Sequence, residues 1–239
     1  MKARPDGKAV QQMFAEIAPR YDFLNHFLSV SIDRRWRKIA VARAAGCLKG
    51  KTSAICLDLC SGTGDLAIAL NRGLGIPVIA SDFCHPMLVR GLEKVRHDGR
   101  NGSIRVIEAD SLVLPFAPES FDVATIAFGL RNLEDTAEGL VEMKRVLKVG
   151  GTAIVLEFSR PVIPVFRQLF EFYFHHILPH LGALISGQNS AYRYLPTSVG
   201  RFPAQKQLAI MMESVGYNAV GYRNLSGGIA ALHWGTKLK

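Results

Sequence analysis

Between residues 53 and 158, short apolar runs alternate with segments whose apolar positions recur every three or four residues. That is the pattern of a parallel sheet covered by helices. It predicts strands over 54–59, 77–82, 104–109, 121–128 and 152–158, and helices over 64–73, 86–97 and 135–147. Ile55, Leu57 and Leu59 make the first strand short and apolar enough to be covered on both faces. Gly150 and Gly151 predict a turn before the fifth strand. Upstream, Val10, Met13, Phe14, Ile17, Ala18 and Tyr21 keep helical spacing within 10–27, a run that Pro19 breaks or kinks. A second helix is predicted over 33–45, with Ser31 or Asp33 as its cap. Residues 159–202 interrupt the alternation: a Phe-rich helix over 165–178, then a polar-aromatic loop over 189–195. A helix over 204–215 and two strands over 219–225 and 229–236 close the chain as a hairpin. The expected organisation is an N-terminal helical lid, 1–50, and an α/β domain, 51–239, that carries the insertion. Its sheet has seven strands, mostly parallel, with helices on both faces and an antiparallel hairpin at the end.

Composition narrows the picture modestly. A chain of 239 residues, 49% hydrophobic, fits one α/β domain with a sizeable core. The formal charge of +9 favours anionic partners, either nucleic acid or an acidic membrane surface. The four cysteines show no paired spacing, which fits reduced thiols and a cytoplasmic setting. His175, His176 and His180 have no accompanying Cys or acid, so no metal site is expected. The N-terminal residues lack an apolar signal core. Charges and prolines interrupt the most apolar window, 162–185, which argues against a membrane span.

The chemistry concentrates where the first strand meets its helix. Gly62 and Gly64 permit a sharp turn and a close ligand approach, and the helix start beyond them points its N–H groups over that turn. The Gly-x-Gly-x-x-Ala spacing alone is a weak dinucleotide signal. The acids sharpen it. Asp58 before the turn and Asp65 after it would repel a pyrophosphate and attract a cationic ligand. S-adenosylmethionine, with an ammonium and a sulfonium, is such a ligand; a nicotinamide dinucleotide is not. Asp82 ends the second strand at the spacing expected of an acid that binds ribose hydroxyls. Asp110 ends the third and can meet the adenine edge together with Ser111. Asp is also a favoured capping residue, but acids at three successive strand ends are poorly explained by capping alone.

Longer motifs carry a family resemblance. Tyr21-Asp-Phe-Leu-Asn25 with Ser29 and Trp36, Phe128-Gly-Leu-Arg-Asn132, Arg145 through Ser159, and Tyr192-Arg-Tyr-Leu195 together resemble the quinone C-methyltransferases. That family makes menaquinone and ubiquinone from their demethyl precursors, and the resemblance runs from Val10 to Gly235. It implies the class I S-adenosylmethionine-dependent methyltransferase fold, which is Rossmann-like. It also implies that Thr63, Asp82, Asp110 and Ser111 contact the donor while Gly62 and Gly64 shape its pocket. The chain departs from the family pattern at Asp33, where His is usual, and at Ala127, where some members have Ser.

The expected reaction is methylation of a ring carbon in a polyprenylated demethylmenaquinol, with the ubiquinone-pathway benzoquinol as the second acceptor. Losing a ring-hydroxyl proton enriches the neighbouring carbon, so the quinol rather than the quinone should react. Arg131, just past the fourth strand, is the candidate to stabilise the developing phenolate. A salt bridge to a nearby acid is its plainer role. Tyr21, Asn189, Tyr192 and Arg193 are candidates to position the acceptor. The basic charge and the Phe-rich helix suggest peripheral contact with an anionic membrane, and a homodimer is left open. Nucleic acid is not expected: the fourth strand ends in Gly-Leu-Arg-Asn rather than Asn-Pro-Pro-aromatic, and no Cys lies near strands four or five. A small-molecule O-methyltransferase is the other alternative.

Overall fold

The structure is a computed structural model that describes residues 6–22, 31–51, 53–100, 102–162, 164, 168 and 190–239. The chain begins with α1 (Gly7–Ile17), capped by the Asp6 side chain, which accepts from the amides of Lys8 and Ala9. A single 3₁₀ turn at Ala18–Arg20 follows, so the helical run does break at Pro19. Next come α2 (Ile32–Cys47), β1 (Cys56–Leu59), α3 (Asp65–Leu74), β2 (Val78–Asp82) and α4 (His85–His97). Then follow β3 (Ile104–Glu108), β4 (Phe121–Ala127), a 3₁₀ turn (Leu130–Asn132), α5 (Thr136–Val146) and β5 (Leu147–Phe158). The chain closes with α6 (Ser190–Arg201), α7 (Gln205–Ser214), β6 (Tyr217–Leu225) and β7 (Ala230–Lys237).

These strands form one seven-stranded sheet in the order β3-β2-β1-β4-β5-β7-β6. β1 to β5 pair in parallel, and β7 runs antiparallel to both β5 and β6. Side chains alternate between two cores. Cys56, Val123 and Ile154 pack with Trp36, Ala40 and Leu70 on one face. Leu57, Ala124 and Val155 pack with Leu140, Met143 and Met212 on the other. β1 pairs with β2 on one side and β4 on the other, so the strand order reverses there. A crevice outside the carboxyl ends of such strands is where open α/β sheets bind ligands.

Two expectations are corrected. Gly150 and Gly151 lie inside β5, which starts at Leu147 rather than after them. The pairing jumps from Phe121↔Leu147 to Val123↔Thr152, and Gly150 takes a left-handed φ of 77°, so the glycines make a bulge within the strand instead of a separate turn. Residues 190–195, expected in a loop, belong to α6. Within it Pro196, Ser198 and Val199 are buried, as is Phe202 just beyond its end, and that packing outweighs its polar-aromatic composition. The helix predicted over 165–178 falls largely outside the described residues.

Candidate active site

The turn between β1 and α3 is built from backbone that few residues adopt. Gly62 and Gly64 have φ of 55° and 80°. α4 presses directly on this turn: a Cβ on Gly91 would stand 3.3 Å from the Thr63 carbonyl carbon. Across the crevice Phe128 also has a positive φ, 57°, a strained conformation for a bulky side chain at the end of β4. It is held there by tilted ring contacts: its ring lies 4.7 Å from Phe158 and 6.0 Å from Trp36.

A cavity of about 230 Å³ opens between these two turns. Gly62, Asp82, Asp110 and Ser111 form one wall; Ala127, Phe128, Gly129, Asn132 and Leu133 form another. Lys8, Gln11 and Phe14 of α1, with Tyr21, cover it. α1 is fixed in that position from both sides. The Gly7 amide donates to Glu134 at 2.9 Å, and Gln11 Nε2 donates to the Phe83 carbonyl at 2.6 Å.

The acids separate into two kinds. Asp82 accepts the amides of Gly62 at 2.8 Å and Cys84 at 2.9 Å, one on each oxygen. Burial raises its pKa to about 6 against the pull of those amides. The Phe83 amide also acts on it, which still leaves the carboxylate capacity to accept from a hydroxyl, and it lies on the cavity wall. Asp110 is exposed and accepts the Leu112 amide at 2.9 Å. Asp58 is different: it is fully buried beneath the turn and takes no part in the cavity wall. Burial raises its pKa to about 7, opposed by the Thr125 hydroxyl, which donates at 2.6 Å. Asp65 is paired with Lys94 and, at 3.0 Å, with Arg37. The expectation that Asp58 and Asp65 present free negative charge at the turn is therefore corrected. The acids that line the cavity are Asp82, Asp110 and Glu134, the last of them engaged by the Gly7 amide.

The other expected residues scatter. Tyr21, Gly62, Asp82, Asp110 and Ser111 come together on the cavity; Thr63 and Gly64 stand behind it. The Thr63 hydroxyl donates to Asp22 and accepts from Lys94. Arg131 does not reach the cavity. Its guanidinium donates to Glu157 at 2.7 Å and to the Phe128 carbonyl, and both partners of the pair are buried. The expectation that Arg131 meets the acceptor directly is corrected, because these bonds point its charge into the protein. Asn189 lies outside the described residues. Tyr192 and Arg193 lie on α6, where the structure describes their backbone alone.

Two polar groups escaped the sequence reading by one or two positions. Asn132, the residue after Arg131, lines the cavity, and the Tyr194 hydroxyl on α6 donates to its Oδ1 at 3.2 Å. Both sit inside the quoted motifs, so the motifs located the site but not the side chain. Cys60 also lines the cavity, but burial pushes its thiol well above the usual range, which disfavours a thiolate nucleophile.

The strand order β3-β2-β1-β4-β5-β7-β6 with β7 antiparallel, joined to a glycine turn after β1 and an acid at the end of β2, is that of the class I S-adenosylmethionine-dependent methyltransferase fold. Solved structures share it. The [4+2]-cyclase SpnF matches with a TM-score of 0.73 at 14% identity, covering 100% of this chain and 98% of its own. A methyltransferase from Thermotoga maritima matches at 0.64 and 19%, covering 95% and 99%. Such distances establish architecture rather than reaction. The model of the ubiE/COQ5 methyltransferase family matches residues 1–237, and the chain belongs to that family. A ubiquinone/menaquinone biosynthesis C-methyltransferase of Geotalea uraniireducens is 44% identical over 99% of both chains. A demethylmenaquinone methyltransferase of Thermus thermophilus is 46% identical over 94% of this chain and 100% of its own.

Proposed function

We propose that the protein methylates a ring carbon of a polyprenylated demethylmenaquinol to give the menaquinol, with the ubiquinone-pathway benzoquinol as a second acceptor. The full-length likeness to the Geotalea and Thermus enzymes carries this reading. The donor is S-adenosylmethionine, which when bound supplies an electrophilic methyl on sulfur. Asp82 fits it, because an anchored carboxylate with free lone pairs faces the cavity. Asp82 would accept the ribose hydroxyls, and Asp110 with Ser111 would face the adenine. Gly62 leaves room for the donor to lie against the turn. Phe14 and Tyr21 exclude water from above.

Away from Asp82, Asn132 offers an uncharged polar side chain on the cavity wall, steadied by Tyr194. It would hydrogen-bond the ring oxygen whose proton is lost, holding the adjacent carbon toward the donor. Arg131 acts behind it: by tying Glu157 to the Phe128 carbonyl it fixes the turn that presents Gly129 and Asn132. The basic surface would bring the enzyme to an anionic membrane, where a polyprenyl tail resides. The N-terminal helices serve as the lid.

A labelled methyl donor offered with demethylmenaquinol and with the benzoquinol tests the proposal. Ring-methylated product is expected from the reduced acceptor and none from the oxidised quinone. Binding of S-adenosylhomocysteine without turnover on either quinol would overturn it.

A further inference from the structure

Tyr21 and Asp22 straddle the glycine turn. Tyr21 faces the cavity and lies 3.8 Å from where a Cβ on Gly62 would stand. Asp22, one peptide further, reaches the other side, where it accepts from the Thr63 hydroxyl and from Lys94 Nζ at 2.9 Å. Lys94 stands on α4. It also donates to the Thr63 hydroxyl at 3.1 Å and pairs with Asp65 at the start of α3. One ammonium thus joins two carboxylates from separate elements, and its three donors have three acceptors.

Lys94 is absent from the cavity wall, so it would touch neither donor nor acceptor. Its loss would leave Asp65 its pair with Arg37 but strip Asp22 of its cation, with only the Thr63 hydroxyl hydrogen to hold it beside a second carboxylate. Asp22 would then withdraw, and Tyr21 would move with it. α4 itself does not depend on Lys94, because Met87, Leu88, Gly91 and Val95 bury its other face.

We propose that Lys94 is a positioning residue: by holding Asp22 against Thr63 it keeps Tyr21 over Gly62 and shapes the donor end of the cavity. The proposal rests on the donor-pocket reading above. The carboxylates and the ammonium are between a quarter and two-fifths exposed, so solvent screening limits the effect to about fivefold.

The test compares wild type, Lys94→Met, Lys94→Arg, Asp22→Asn and the Lys94→Met/Asp22→Asn double variant. Calorimetry measures the Kd for S-adenosylhomocysteine, and mass spectrometry follows tryptic cleavage after Arg20. Lys94→Met and Asp22→Asn should each raise the Kd about fivefold and speed that cleavage. The double variant should be no worse than the poorer single, and Lys94→Arg should restore most of the affinity. Asp22→Asn carries the test if Lys94→Met fails to fold. Native Kd and native cleavage in the single variants, or additive losses in the double, would overturn the role of Lys94. Failure of the wild type to bind S-adenosylhomocysteine would instead strike the donor-pocket reading, and the cleavage comparison would still decide whether Lys94 holds the segment.

Discussion

Arg131 and Glu157 form a buried ion pair one step behind the cavity, with side chains 7% and 1% exposed. Removing one member of such a pair strands the other in a poor dielectric. Arg131→Ala should therefore cost about 3 kcal/mol in urea unfolding, quite apart from any effect on turnover. Asn132→Ala separates the two effects: it should keep near-native stability and donor affinity while lowering kcat. Asp58 offers a residue-scale test of a different kind. Its folded pKa of about 7 stands above the ordinary carboxylate value because burial disfavours its charge. The folded protein then holds this proton more tightly than the unfolded chain, so the group's contribution to stability is lost as pH rises from about 4 to about 7. Asp82 has the same sign up to about 6, while His233, whose pKa burial lowers, has the opposite sign below its ordinary value. The difference between wild type and Asp58→Asn isolates the Asp58 share. The variant should gain thermal midpoint relative to wild type on going from pH 5 to pH 8; a constant difference would show that Asp58 is not held neutral.

At the scale of elements, α1 is an added wall rather than part of the sheet's core. It supplies Lys8, Gln11 and Phe14 to the cavity and is held by hydrogen bonds to Glu134 and Phe83 and by a small apolar cluster in which Phe14 and Ala15 pack with Cys84 and Met87, apart from the two cores of the sheet. Removing residues 1–17 should leave the far-ultraviolet circular dichroism of the sheet and its helices intact. It should weaken S-adenosylhomocysteine binding by about tenfold, the equivalent of roughly 1.4 kcal/mol. Loss of the fold would instead place α1 in the core. The same distinction explains what could be read in advance. β1 to β4 and their helices follow local periodicity, and their predicted bounds fall within two residues of those observed. The position of Asp82 on the cavity was legible because it is the last residue of β2, and a strand end fixes its side chain over the crevice; Asp110 lies two residues beyond the end of β3, in the loop that also lines it. The bulge in β5 and the helix at 190–201 were not, since both depend on partners distant in sequence: Phe121 and Val123 for one, a buried face for the other. Arg131 was misplaced for a related reason. Its neighbour Asn132 differs from it only in direction within a 3₁₀ turn, and Glu157, which turns the guanidinium inward, lies 26 residues away.

For the whole molecule, charge and acceptor chemistry point to the same surface. The polyprenyl tail of the acceptor we propose would favour lipid by about 0.8 kcal/mol per buried methylene, so an enzyme that reaches its ring would gain by working at the bilayer surface. Among the described residues no helix is long and apolar enough to cross a membrane, and the argument for contact rests on the exterior. The chain carries a formal +9, and α2 exposes Arg34, Arg35 and Lys38 beside a 40% exposed Ile32. α2 is fastened to the β6–β7 turn through Trp36 Nε1, which donates to Ser226 at 2.9 Å. That turn in turn holds Val162, 55% exposed, through the Gly227 carbonyl. Cations and apolar side chains therefore share the end of the molecule where β5 finishes at Phe158, which packs against Phe128 of the cavity wall. Each cation near an anionic leaflet is worth about 1 kcal/mol, and the field fades as the Debye length falls from about 10 Å at 0.1 M salt to about 3 Å at 1 M. The protein should sediment with anionic vesicles at 0.1 M salt, detach at 1 M, and ignore neutral vesicles. Arg34→Glu, Arg35→Glu and Lys38→Glu together should abolish most of that sedimentation while leaving S-adenosylhomocysteine binding unchanged. Equal sedimentation of the triple variant would move the contact elsewhere on the surface, and equal sedimentation with neutral vesicles would remove charge as its cause.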